Sequence, residues 1–147
     1  MQGQFTDNAQ EALKLASRCA ASLKQGYVGT EHILMGLLKE PAGVAHRVLT
    51  DNNVDADQIL DMIKELIAFE GGVGLKEREG YSPRAIRILD EAHRQAARFG
   101  QRETGTEHIL LAIIKEGENV AVRLLNTIGI NVQKVYADTL IAMGQDG

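Results

Sequence analysis

The sequence predicts an all-α protein of eight helices, arranged as two tandem four-helix repeats with approximate twofold symmetry. Three observations lead there. The hexapeptide GTEHIL stands at 29–34 and again at 105–110, an offset of 76 residues. Apolar residues recur at spacings of three and four through most of the chain, the period of a helix with one buried face. The apolar set is also aliphatic: 44% of the 147 residues are hydrophobic but only 4% aromatic, with no Trp. Such a composition suits a core packed from Ala, Leu, Ile and Val.

The offset aligns far more than the hexapeptide. Phe5-Thr6 falls on Tyr81-Ser82, Leu13 on Leu89, Ala16 on Ala92, Val44-Ala45 on Val120-Ala121, and Arg47 on Arg123. No gap is needed from Phe5 to about Phe69, so the chain reads as an internal duplication. The first helix carries Ala9, Leu13, Ala16, Ala20 and Leu23 on one face. Thr6 is its expected N-cap, Phe5 a hydrophobic staple, and Gly26 its far end. The second starts at Thr30 and runs through Ile33, Leu34, Leu37 and Leu38; the third covers 43–52. The fourth follows Asp55 and carries Ile59, Met62, Ile63 and Leu66. The second copy repeats the series at 82–100, 106–115, 119–128 and 131–143. Between the copies, 70–80 reads EGGVGLKEREG, a Gly-rich linker with alternating charges. The expected organisation is one domain over 1–147, with repeat one at 5–69, the linker at 70–80 and repeat two at 81–145. Helices this short bury little alone, so both copies are expected to share one core.

Several chemistries find no support. The net charge of −4 gives no broad basic field, so nucleic acid is not an expected partner. No stretch approaches the ~20 apolar residues of a membrane span. The first residues lack a basic, then apolar, secretory pattern, and a cytoplasmic protein is expected. A single cysteine, Cys19, excludes an internal disulfide and reads as a packed thiol. Gly71 to Lys76 lacks the Gly-Lys-Ser/Thr ending of a phosphate loop, and no apolar strand leads into it. His32 and His108 have no second His four residues on, so the zinc-protease helix is absent. They read as packing or capping residues rather than metal ligands, and a small helical metal hydrolase is the remote alternative. Ser17, Ser22 and Ser82 have no evident His and acid partners. No catalytic residue, metal or cofactor is expected.

What remains is Gly-Thr-Glu-His. As plain structure it is a helix start: Thr caps, Gly lets the chain bend, and Glu sits at the positive end of the helix dipole, worth ~0.3–1 kcal/mol. The same atoms have a functional reading. A helix N-terminus with a threonine hydroxyl can receive a phosphate, and a carboxylate beside it can accept paired hydrogen bonds from a guanidinium. Phosphoarginine carries both groups.

At this point the sequence resembles a known family, the N-terminal (Clp N) domain of ClpC-type Hsp100/AAA+ unfoldases. The resemblance rests on FTDNAQEAL at 5–13, YVGTEHILMGLLKE at 27–40, YSPRAIRILDEA at 81–92 and GTEHILLAIIKEGENVAVRLLNTIGI at 105–130. It covers essentially the whole chain and implies the double Clp-N motif: a binding domain without ATPase motif, at the front of an ATP-driven ring that feeds the ClpP peptidase. The implied partners are MecA-like adaptor proteins and arginine-phosphorylated substrates. Carried over residue by residue, Glu31 and Glu107 would accept the guanidinium. Thr30 and Thr106, with the backbone amides of Val28 and Thr104, would hold the phosphate. Two departures stand out. The first motif follows Tyr27-Val28, whereas the second follows Arg102-Glu103-Thr104, which adds an acid and removes an apolar wall. Pro41 replaces the Gly that follows Lys115-Glu116 in the second copy. The alternatives are adaptor docking without phosphoarginine binding, and a stand-alone Clp N-domain protein.

Overall fold

The computed structural model describes residues 4–69 and 80–144. Eight helices lie among them: α1 (Asp7–Ser22), α2 (Thr30–Lys39), α3 (Val44–Asp51) and α4 (Ala56–Phe69), then α5 (Pro83–Arg98), α6 (Thr106–Glu116), α7 (Val120–Thr127) and α8 (Val132–Ala142). The linker expected over 70–80 lies, apart from Gly80, outside the described residues.

Helix starts follow local side-chain chemistry. The Thr6 hydroxyl accepts from the Ala9 amide at 3.1 Å, and its counterpart Ser82 accepts from Ala85 at 3.1 Å. Asn119 and Asn131 cap α7 and α8 in the same way. Phe5 also reaches the other copy. Its ring lies 4.6 Å from that of His93 on α5, so it ties the N-terminus to the other repeat. Gly26 does not end the first helix. The left-handed turn falls at Lys24 (φ 57°), whose second-copy counterpart is Gly100 (φ 73°).

The middle of the molecule is α2 and α6. Both are apolar almost all round, and residues 32–38 and 108–114 are buried, as expected for helices enclosed by others. The remaining helices present one apolar face each and wrap this pair. Across the copies α2 meets α7, and α3 meets α6 and α8.

Two features were not anticipated from the sequence. Gln4–Phe5 (β1) and Glu103–Thr104 (β2) form a two-stranded parallel ladder, and Val28 bridges Tyr81 in the equivalent place. In each case the chain just before a GTEH motif is stitched to the chain just before the first helix of the other copy.

Candidate functional site

Each GTEH motif is built on the same frame, and the frame differs from the expected one. Gly29 and Gly105, not the threonines, are the N-caps; Thr30 and Thr106 are the first helical residues. Both glycines have ordinary extended backbone (φ −97°), so a sharp bend is not why they are glycine. The Glu31 carboxylate folds back over Gly29, and Glu107 over Gly105, so that a Cβ at either glycine would make that carboxylate swing aside.

The threonine hydroxyls do not cap their own helices. Thr30 Oγ1 accepts from the amide of Ala121, in the first turn of α7, at 3.3 Å. Thr106 Oγ1 accepts from the amide of Ala45, in the first turn of α3, at 3.2 Å. Each threonine therefore secures the third helix of the opposite copy, and both are buried. The own-helix cap comes from histidine. The Gly29 amide donates to His32 Nδ1 at 2.9 Å, and that of Gly105 to His108 Nδ1 at 2.8 Å. An accepting Nδ1 leaves the hydrogen on Nε2, which in both residues is buried without a partner among the described residues. Burial pushes the His32 pKa down to about 4. It also lowers that of His108, against an upward pull from the Glu107 carboxylate. Both imidazoles are neutral structural caps, and no group of three or more metal-ligating side chains is placed to hold an ion among the described residues.

The amides expected to hold a phosphate are already committed. Val28 N–H donates to the Gly80 carbonyl at 2.9 Å, and the Val28 carbonyl accepts from Ser82. Thr104 is paired with Phe5 in the β1–β2 ladder, and its carbonyl accepts from Thr6. Neither amide is open to a ligand, because the stitches between copies use them.

Glu31 instead faces a set of cations that the sequence reading missed. It lines a cleft of about 460 Å³ at the junction of the copies, together with Tyr27, Thr30, Arg84, Arg87, Glu118 and Arg123. Arg84 is anchored to the Glu116 carboxylate and the Glu118 carbonyl. Arg87 and Arg123 are exposed and in no ion pair among the described residues. The cleft thus brings three guanidiniums to the carboxylates of Glu31 and Glu118, with the charge of Arg84 already balanced by Glu116. Arginine forks bind phosphate oxygens in pairs, while Glu31 can accept from a guanidinium. The signal was present in the sequence: comparing the copies for differences sets Arg84 and Arg87 against Asn8 and Glu11.

Comparisons with known proteins bear on this arrangement. The family model described as the Clp repeat (R) N-terminal domain matches residues 4–138. The chain is 36% identical over 146 residues to the negative regulator of genetic competence ClpC/MecB of Bacillus subtilis, covering 99% of this chain and 18% of that one. It is likewise 36% identical over 148 residues to the chaperone protein ClpB of Oceanobacillus iheyensis, again 18% of that protein's length. Among solved structures, the N-terminal domain of ClpD from Arabidopsis thaliana superposes with a TM-score of 0.75 at 18% identity, over 95% of this chain and 97% of that one. A ClpV N-domain in complex with a VipB peptide superposes at 0.70 and 22% identity, over 97% and 89%. These structures show the same fold. The chain belongs to the Clp N-terminal domain family and spans less than a fifth of the curated relatives it matches.

Proposed function

We propose that this Clp N-domain is the capture module of a ClpC-like Hsp100 unfoldase of the ClpCP protease, receiving adaptor proteins and substrates, and that its Glu31 cleft takes phosphoarginine side chains. The observation that carries the finer reading is the meeting of the Glu31 carboxylate with the guanidiniums of Arg84, Arg87 and Arg123 in one cleft, which Glu118 also lines. Glu31 accepts the N–H groups of the ligand's guanidinium. Arg87 and Arg123, with Arg84 behind them, take the phosphate oxygens, and the Thr30 hydroxyl, which accepts from Ala121, still has its hydrogen to donate. Glu107 and Thr106 form the corresponding second site. Phosphoarginine has about 16 non-hydrogen atoms. At ~0.3 kcal/mol each, the binding energy is about 5 kcal/mol, a sub-millimolar affinity. Two sites per chain, multiplied in an oligomeric ring, add avidity for multiply marked proteins.

The test is calorimetric titration with phosphoarginine and with plain arginine. Saturable heat from phosphoarginine alone, with the tighter phase weakened at least tenfold both by Glu31→Ala and by the pair Arg87→Gln and Arg123→Gln, is the expected result. No heat from folded chain would retire the phosphoarginine reading. Adaptor docking is favoured separately by the ClpV N-domain seen with a peptide; adaptor binding that survives Glu31→Ala would place that contact on another face.

A further inference from the structure

The fourth helices of the two copies hold different positions. α8 packs on α6 and on α3 of the other copy, whereas α4 rests on α2, and no comparable packing joins it to α7 among the described residues. A polar lock holds the α3–α8 joint. Asn52 Nδ2 donates to Asp138 at 3.0 Å, and Lys134 Nζ donates to Asn52 Oδ1 at 3.2 Å and to Asp138 at 2.8 Å. The 76-residue offset puts Ile128, Met62 and Gln58 in place of Asn52, Asp138 and Lys134, so that lock cannot form between α4 and α7. A cavity of about 240 Å³ stands there instead, lined by Leu66, Val120, Arg123, Leu124 and Thr127.

The chain thus builds one joint twice, closed on one side and open on the other. The α3–α8 side shows where a fourth helix lies when it closes. On α4, Met62 and Leu66 are only half-buried, and a move onto α7 takes them out of water. We propose that α4 is a strap that closes onto α7 when the Glu31 cleft takes its ligand, while α8 stays locked. The gap is then filled by α4 itself. This rests on the phosphoarginine reading of Glu31. Leu66 and Arg123 each line both the gap and the cleft, so a movement of α4 alters both. Arg123 also supplies the trigger. It is in no ion pair among the described residues, so α4 cannot cover it without stripping water from an unpaired charge. A phosphoryl group in the cleft pairs that charge. The ligand therefore binds the closed arrangement better than the open one, which is the condition for shifting the balance between them.

The experiment measures one distance on each side by pulsed electron paramagnetic resonance between spin labels. The α4–α7 side carries Glu65→Cys with Asn126→Cys, and the α8–α3 side carries their counterparts Ile141→Cys with Thr50→Cys, all at exposed positions. Both pairs are made in a Cys19→Ser chain, since Cys19 is the single native cysteine. In the free chain the α4–α7 pair is expected to lie farther apart than the α8–α3 pair. Saturating phosphoarginine shortens it to the α8–α3 value and leaves the α8–α3 pair unchanged. Grafting the lock, as Gln58→Lys, Met62→Asp and Ile128→Asn together, shortens it without ligand in a chain whose fold a thermal melt verifies. Calorimetric heat from phosphoarginine with no shortening overturns the strap and leaves the phosphoarginine reading standing. No heat and no shortening overturns that reading, and the trigger goes with it. Equal distances in the two free pairs, or a folded graft that keeps the longer distance, overturn the two positions of α4 whatever the ligand does.

Discussion

The Glu31 and Glu107 sites share a frame and differ in their rims. In both, a carboxylate folds back over a glycine, a histidine caps the helix start, and a threonine reaches into the opposite copy. Around Glu31 stand Tyr27, Arg84, Arg87 and Arg123; the offset places Glu103, Asn8, Glu11 and Arg47 around Glu107. Asn8 does occupy the place of Arg84, since its side chain donates to the Ala42 carbonyl as Arg84 donates to that of Glu118. The second rim thus exchanges two cations for an amide and an acid, and gains another acid at Glu103. Two letters of GTEH, the threonine and the histidine, are accounted for by structure alone. The rims lie outside the motif, and there the copies have diverged.

The histidine caps carry the largest predicted effect. Below pH 6.5 the unfolded chain protonates His32 while the folded chain resists until about 4. The stability this residue contributes is therefore complete above pH 6.5, falls as pH drops toward 4, and is flat below. A shift of this size corresponds to about 3 kcal/mol. His108 adds to the loss in the same direction, and less, because Glu107 opposes its shift. Denaturant unfolding at pH 7, 5.5 and 4, with His32→Gln and His108→Gln as separate variants, measures both; a larger loss at His108 would break the ordering of the copies.

The crossed threonines come next. Thr30→Val leaves the buried Ala121 amide unpaired, and Thr106→Val does the same to Ala45. Each is expected to cost about 1–2 kcal/mol in urea unfolding. Equal costs support one shared frame, whereas a cost in only one copy would show that the frame itself is asymmetric. Smaller still is the turn after α1. Lys24→Gly relieves a left-handed residue that the second copy already builds from Gly100, and is expected to stabilise the chain by about 0.5–1 kcal/mol. A melt showing destabilisation would contradict it.

Helix number, order and approximate ends were legible in the sequence because apolar periodicity and Ser, Thr and Asn caps act locally. What was not legible depends on the other copy. Thr30 looks like an N-cap by type and position, and its true partner lies 91 residues away. Val28 looks like an open amide beside a helix start until Gly80 is brought to it. Two-residue strands leave no periodic signal. The cations of the cleft escaped notice because matching the repeats draws attention to shared letters, while Arg84 and Arg87 are letters the copies do not share.

The most direct test of the account is calorimetric titration of phosphoarginine onto Glu31→Ala and Glu107→Ala separately, beside wild type. The arginine-rimmed site predicts that Glu31→Ala removes most of the heat and at least tenfold in affinity, while Glu107→Ala keeps the tighter phase intact. If Glu107→Ala loses the tighter phase and Glu31→Ala retains it, the arginine rim does not set ligand preference and the comparison between the copies is wrong.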